Sequence, residues 1–172
     1  MNTKLQKQYL ELEAKRAKLL GEIAQLSIEK LNHSQPGRWS INQIIAHIIA
    51  GEKLSVAYLQ KKIGAINEVE NTGIYEEFKI IALILSQRLP LKFRAPRVVV
   101  ENTTQTTDLL QLVKEWDSAR EELRLLLEKV KDDQIKRRIY KHVRAGKLNI
   151  QHALIFFREH IIHHYPQIKR LM

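Results

Sequence analysis

Chain breakers are scarce in this sequence. Six glycines and four prolines are spread over 172 residues, and the stretches between them carry apolar residues three and four positions apart. That spacing places them on one side of an α-helix, and it is incompatible with the two-residue alternation of a half-buried strand. A chain built this way must bury helical stripes against one another, so the expectation is an all-α protein.

The pattern divides into segments. The first helix is expected from about Thr3 to Leu31, with Leu5, Leu12, Leu19 and Ile23 among its apolar positions. Asn32 to Arg38, containing Pro36-Gly37, has turn chemistry. Ser40 and Gln43 read as a capping box for the second helix, with Trp39 and Ile44 as its hydrophobic staple. That helix should run to about Lys62, before Gly64 and the polar Asn67 to Gly73. Ile74 to Leu89 reads as a shorter helix closed by Pro90, and Leu91 to Glu101 as irregular or extended. A third long helix is expected from Thr106-Thr107-Asp108 to about Lys131, with a further turn possible over Asp132 to Lys136. Arg137 to Leu148 reads as a loop with short extended structure, and Asn149 as the N-cap of a last helix that runs nearly to Met172. This is one domain over residues 1–172: a four-helix bundle with an excursion, containing a short helix, between its second and third long helices.

The last helix carries the chemistry. His160 and His164 lie one turn apart, on the same face as Ile150, Ala153, Leu154, Phe157, Ile161, Ile168 and Leu171. A buried imidazole nitrogen without a partner is costly, and a divalent metal ion shared by two imidazoles would satisfy both. His47 is the best third ligand, because Ile44 to Gly51 around it is almost wholly apolar. Gly51, one turn further on, leaves room for a ligand or a close helix. Three neutral imidazoles leave coordination positions open, as catalytic sites do, and they suit zinc or nickel. The competing reading is that these are core histidines satisfied by hydrogen bonds. His163 reads as a rim residue or a donor to a ligand. His33, His142 and His152 read as surface residues, and Glu52 and Glu159 as solvated carboxylates, either of which could orient a ligand or take a proton.

The remaining composition narrows the function classes. Cysteine is absent, which removes disulfides, thiolate ligands and a cysteine nucleophile. No apolar run reaches membrane-spanning length, and no apolar stretch of the signal-peptide kind follows Met1 to Lys7, so a cytoplasmic protein without a membrane partner is expected. A net charge of +10 raises nucleic acid as a partner. The densest basic stretch, Lys129 to Lys147, holds one stacking ring, Tyr140, and no nucleic-acid motif, so it reads instead as a solvated basic surface. The same charge would attract an anionic small molecule.

Several pieces, in this order, resemble the DinB/YfiT-like superfamily: Trp39-Ser40 followed by His47, then Lys92-Phe93-Arg94-Ala95-Pro96, then Gly146-Lys147-Leu148-Asn149, then His160, His164 and Gln167. The resemblance covers nearly the whole chain. It implies a bundle of up-down-down-up topology, often a homodimer, with a divalent metal, typically zinc or nickel, on His47, His160 and His164. Some relatives are S-transferases or isomerases that use a low-molecular-weight thiol, and others are labelled metal-dependent hydrolases. One departure is Pro166, whose ring and missing N–H should kink the final turn below His164. The expected function is therefore a metal-dependent hydrolase or thiol S-transferase acting on a small molecule. The alternative is a non-catalytic bundle with a structural or vestigial metal site and a partner, protein or nucleic acid, on its basic surface.

Overall fold

The computed structural model describes residues 1–89, 97–104 and 108–172. Four long helices dominate: α1 (Thr3–Ile23), α3 (Ile41–Lys62), α6 (Leu109–Glu128) and α7 (Ile150–Leu171). Between α1 and α3 lies the short α2 (Ile28–Asn32). Between α3 and α6 come a 3-10 segment (Ile63–Glu68), α4 (Ile74–Arg88) and α5 (Arg97–Glu101). After α6, a 3-10 turn (Asp132–Gln134) leads to a hairpin of β1 (Tyr140–His142) and β2 (Gly146–Leu148).

Cross-helix pairs fix the directions. Arg158 meets Glu11 and Tyr165 meets Glu22, so α1 and α7 run parallel. Lys53 meets Glu115 and Gln60 meets Glu122, so α3 and α6 run parallel. Arg16 meets Asp117 while Tyr9 reaches the carbonyl of Arg120, so α1 and α6 are antiparallel. The bundle therefore runs up, down, down, up. Its core follows the expected stripes: Leu5, Leu12, Leu19 and Ile23 of α1 meet Ile45, Ile48, Ile49 and Leu59 of α3, Trp116, Leu123 and Leu127 of α6, and Ala153, Leu154, Phe157 and Ile161 of α7.

The helix starts are set by local chemistry. The Ser40–Gln43 capping box forms in both directions, at 3.2 and 2.8 Å. Asp108 caps α6 by accepting from Leu110 N at 2.9 Å. Asn149 caps α7 through His152 N at 2.9 Å, and its amide donates to Thr72 Oγ1 at 2.7 Å, which ties α7 to the excursion.

Four expectations need correction or a boundary. The first helix does not reach Leu31: it stops at Ile23, and Ser27 starts a separate turn by accepting from Lys30 N. Serine competes for backbone groups in this way, and that chemistry outweighed the continuing apolar pattern. Arg97–Glu101 is helical rather than extended despite its three valines. An Arg97–Glu101 ion pair one turn apart supports it, and Asn102 and Thr103 side chains satisfy the carbonyls of Val98 and Val99. The segment Leu91 to Pro96, including Lys92 to Pro96, lies outside the described residues, as do Pro90, Thr106 and Thr107. Helix α7 continues through Pro166 to Leu171, with Pro166 on the exposed side.

Among the described residues, no helix is long and apolar enough to cross a membrane.

Candidate metal centre

α7 is antiparallel to α3 where they cross. His47 faces both His160 and His164, with ring centroids 5.1 and 5.0 Å away. Gly51 of α3 lies against the His160 ring: a Cβ there would stand 3.5 Å from Cε1 of His160, an ordinary contact distance. One ring nitrogen from each of His47, His160 and His164 lies within 4.8 Å of the others, and all three residues are buried. His160 Nε2 and His164 Nε2 are 3.1 Å apart.

Burial first, and neighbouring imidazoles second, hold all three in the neutral form. His47 is pushed down to about 4 and His164 to about 3 from the usual 6.5, and His160 well below it. Neutral imidazole is the ligating form. His164 Nδ1 faces the carboxamide oxygen of Gln167 at 3.1 Å. An amide oxygen can only accept, so the proton sits on Nδ1 and the Nε2 lone pair is left for a ligand. Buried His47 Nδ1 and His160 Nδ1 have no partner among the described residues. Three desolvated neutral imidazoles, converging by one nitrogen each and with no acidic group joining them among the described residues, fit a divalent ion.

The triad forms one wall of a cavity of about 370 Å³. Trp39 closes one side, its ring 4.9 Å from that of His47. Phe156 stacks on His160 at 5.3 Å with the rings nearly parallel. Both were legible in part: Trp39 was read only as a staple, and Phe156 stands one turn before His160. His163 also lines the cavity, with Nδ1 2.6 Å from the carbonyl of Gln87.

Four readings of side chains change. His142 and His152 are buried, not surface residues. His142 faces inward on β1, and His152 contacts Glu77 at 3.1 Å. Glu52 and Glu159 are also buried, each 1 % exposed, and both are consumed by ion pairs. Glu52 binds Arg120 and Trp116. Glu159 takes the Arg88 guanidinium at 2.9 and 3.0 Å and Arg158 at 3.2 Å. Neither carboxylate lines the cavity. A single buried glutamate on an apolar helix leaves no trace of its partner in sequence, so these two pairs were invisible there.

The family model described as the DinB superfamily matches residues 11–168. The chain belongs to the DinB superfamily. No curated protein and no solved structure matches it. The matched span holds His47, His160 and His164, the cavity and Gln167, and it leaves out only the ends of α1 and α7. Substituting Gln167 by Leu is expected to weaken metal binding about tenfold to a hundredfold while leaving the helix intact. Competition with a chromogenic chelator reads this directly, and an unchanged affinity would remove Gln167 from the orienting role.

Proposed function

We propose that this DinB-superfamily protein is an enzyme that holds one divalent metal ion, zinc or nickel, on His47, His160 and His164. It acts on a small molecule by hydrolysis or by transfer to or from the sulfur of a low-molecular-weight thiol. The observation that carries this reading is the position of the triad: three buried, neutral, converging imidazoles form a wall of an open cavity rather than the centre of a closed shell. A structural metal would call for a fourth protein ligand and no adjoining space. The chemistry such an ion supplies when bound is Lewis acidity, which lowers the pKa of a water or thiol brought to it.

The chain's own groups do the rest. Gln167 keeps the His164 lone pair pointed at the site. Trp39, Phe156 and the apolar walls line the space beside it. Glu52 and Glu159 hold arginines, so His163, which lines the cavity, is the better placed candidate to take a proton there.

Elemental analysis of protein purified without an affinity tag tests the reading. We expect about one zinc or nickel per chain, and its loss in His160→Ala with the helical content kept. Absence of metal, together with no uptake from added zinc or nickel, would sink it.

The homodimer belongs to the same reading. α4 leaves Ile74, Phe78, Ile81 and Leu85 more than half exposed along one helical face, and a second copy would bury them there. Phe78→Asp should convert a dimer to a monomer in sedimentation. A wild type that sediments as a monomer removes this part.

A further inference from the structure

The β1–β2 hairpin forms a non-helical part of the cavity wall. Its shape depends on a side chain. His142 Nδ1 lies 3.2 Å from both Arg144 N and Ala145 N, and accepts from both. The turn closes on Gly146, whose φ of +73 favours glycine. Two N–H donors on Nδ1 leave the imidazole proton on Nε2. His142 is therefore locked as a donor through Nε2, on a residue that lines the cavity. The alternation of β1 brings Lys141 to the exposed side of the same rim, and Arg144 follows on the turn.

The rest of the wall has the opposite character. Trp39, Leu54, Leu83, Val98, Val99 and Phe156 make it apolar, and none of the described residues lining it is Asp or Glu. A volume of about 370 Å³ suits a small ligand. Phe156 stands between the two polar regions: its ring centroid lies 4.4 Å from that of His142 and 5.3 Å from that of His160. A molecule held at the hairpin and reaching the triad must lie along that ring.

We propose that the hairpin is an anion-reading arm, and that the cavity takes a short apolar or aromatic body bearing a carboxylate. The carboxylate sits at the rim, where His142 Nε2 donates to it and the charges of Lys141 and Arg144 compensate it. The apolar body lies against Phe156 and presents its reacting end to the triad. This rests on the cavity being the substrate site, as proposed above, and it adds the substrate class. Without a carboxylate in the wall, the rim favours anions over neutral and cationic molecules of the same shape.

Equilibrium binding of 4-phenylbutyrate, its primary amide and 4-phenylbutylamine tests the arm, by calorimetry, on chelator-stripped and zinc-treated protein. The carboxylate should bind roughly tenfold tighter than the amide in both preparations, the size of one charge-assisted hydrogen bond. The amine should bind weakest. The double variant Lys141→Glu/Arg144→Glu should erase the preference and keep binding of the amide, which shows that the cavity is still formed. Carboxylate preference in the stripped protein, alongside failure to take up zinc, would support the arm and overturn the metal reading. Preference only in zinc-treated protein, unmoved by the double variant, would place the anion on the metal and overturn the arm. Equal binding of all three, or no saturable binding of the carboxylate, would also overturn it.

Discussion

Kept metal-free by a chelator, the protein is expected to unfold cooperatively as the pH is lowered from 6.5 towards 4. His47 and His142 are each held down to about 4, His164 to about 3 and His160 well below 6.5. Burial is the first cause in all four. Repulsion that an added charge would meet comes second: from His163 at His47, from Arg144 at His142, and from the other triad imidazoles at His160 and His164. Below 6.5 the unfolded chain takes a proton on each imidazole and the folded chain does not, so acid favours unfolding. Stability is complete above that pH and is lost as the pH falls through the window. Each group contributes about 1.4 kcal/mol per pH unit, so four give a slope of roughly 5 kcal/mol per unit. A domain's whole stability is about 5–15 kcal/mol, so the window is wide enough to unfold it.

Glu52 opposes this trend. Burial raises its carboxyl, with Arg120 and Trp116 pulling it back, so the folded form holds that proton more tightly. It is one group against four. Saturating zinc should move the transition to lower pH, because the ion binds the neutral imidazoles that acid would protonate. Circular dichroism along a pH titration reads both effects. A metal-free fold that survives unchanged below pH 4, where His47 and His142 take their protons, would show that these imidazoles are not desolvated as the packing implies.

What could be read from the sequence follows from the range of each interaction. Helix-scale periodicity and capping are local, so α3, α4, α6 and α7 were legible nearly to the residue, as were Ser40 and Asn149 as caps. The triad was legible because His160 and His164 share a helical face and His47 sits in an apolar run. Local rules failed where two equally local signals competed. Ser27 broke a continuing apolar stripe, and the β-branched Val98 to Val100 hid a helical turn held by side chains that follow it. Contacts between distant segments were beyond reach. Nothing near Glu159 in sequence points to Arg88, and nothing near His142 shows that its ring turns inward to hold its own turn and meet Phe156.

Glu52→Leu is expected to cost about 3–5 kcal/mol of stability, the typical loss when one member of a buried ion pair is removed. Glu52 and Arg120 are 1 % and 2 % exposed. Glu52 Oε1 accepts from Arg120 Nη2 at 2.8 Å, and Oε2 accepts from the Trp116 indole at 2.8 Å. Glu13 of α1 adds a second carboxylate 3.4 Å from Arg120 Nε, so the cluster joins α1, α3 and α6 at mid-bundle. The two single deletions should differ. An arginine cannot shed its charge, whereas a glutamate can take up a proton. Arg120→Met therefore leaves a Glu52 that can neutralise itself, and its loss should shrink as the pH is lowered towards 6. Replacing both, Glu52→Leu with Arg120→Met, should recover most of the loss, because apolar residues of similar volume replace such pairs at little cost. Urea unfolding of the four proteins measures the coupling, and simple additivity of the two single losses would rule out a cooperative pair. The same double variant separates structure from chemistry: with the cavity and triad untouched, it should bind metal as the wild type does. A refolded double variant that no longer takes up metal would mean that Glu52 supports the site itself, one residue from the glycine that lies against His160.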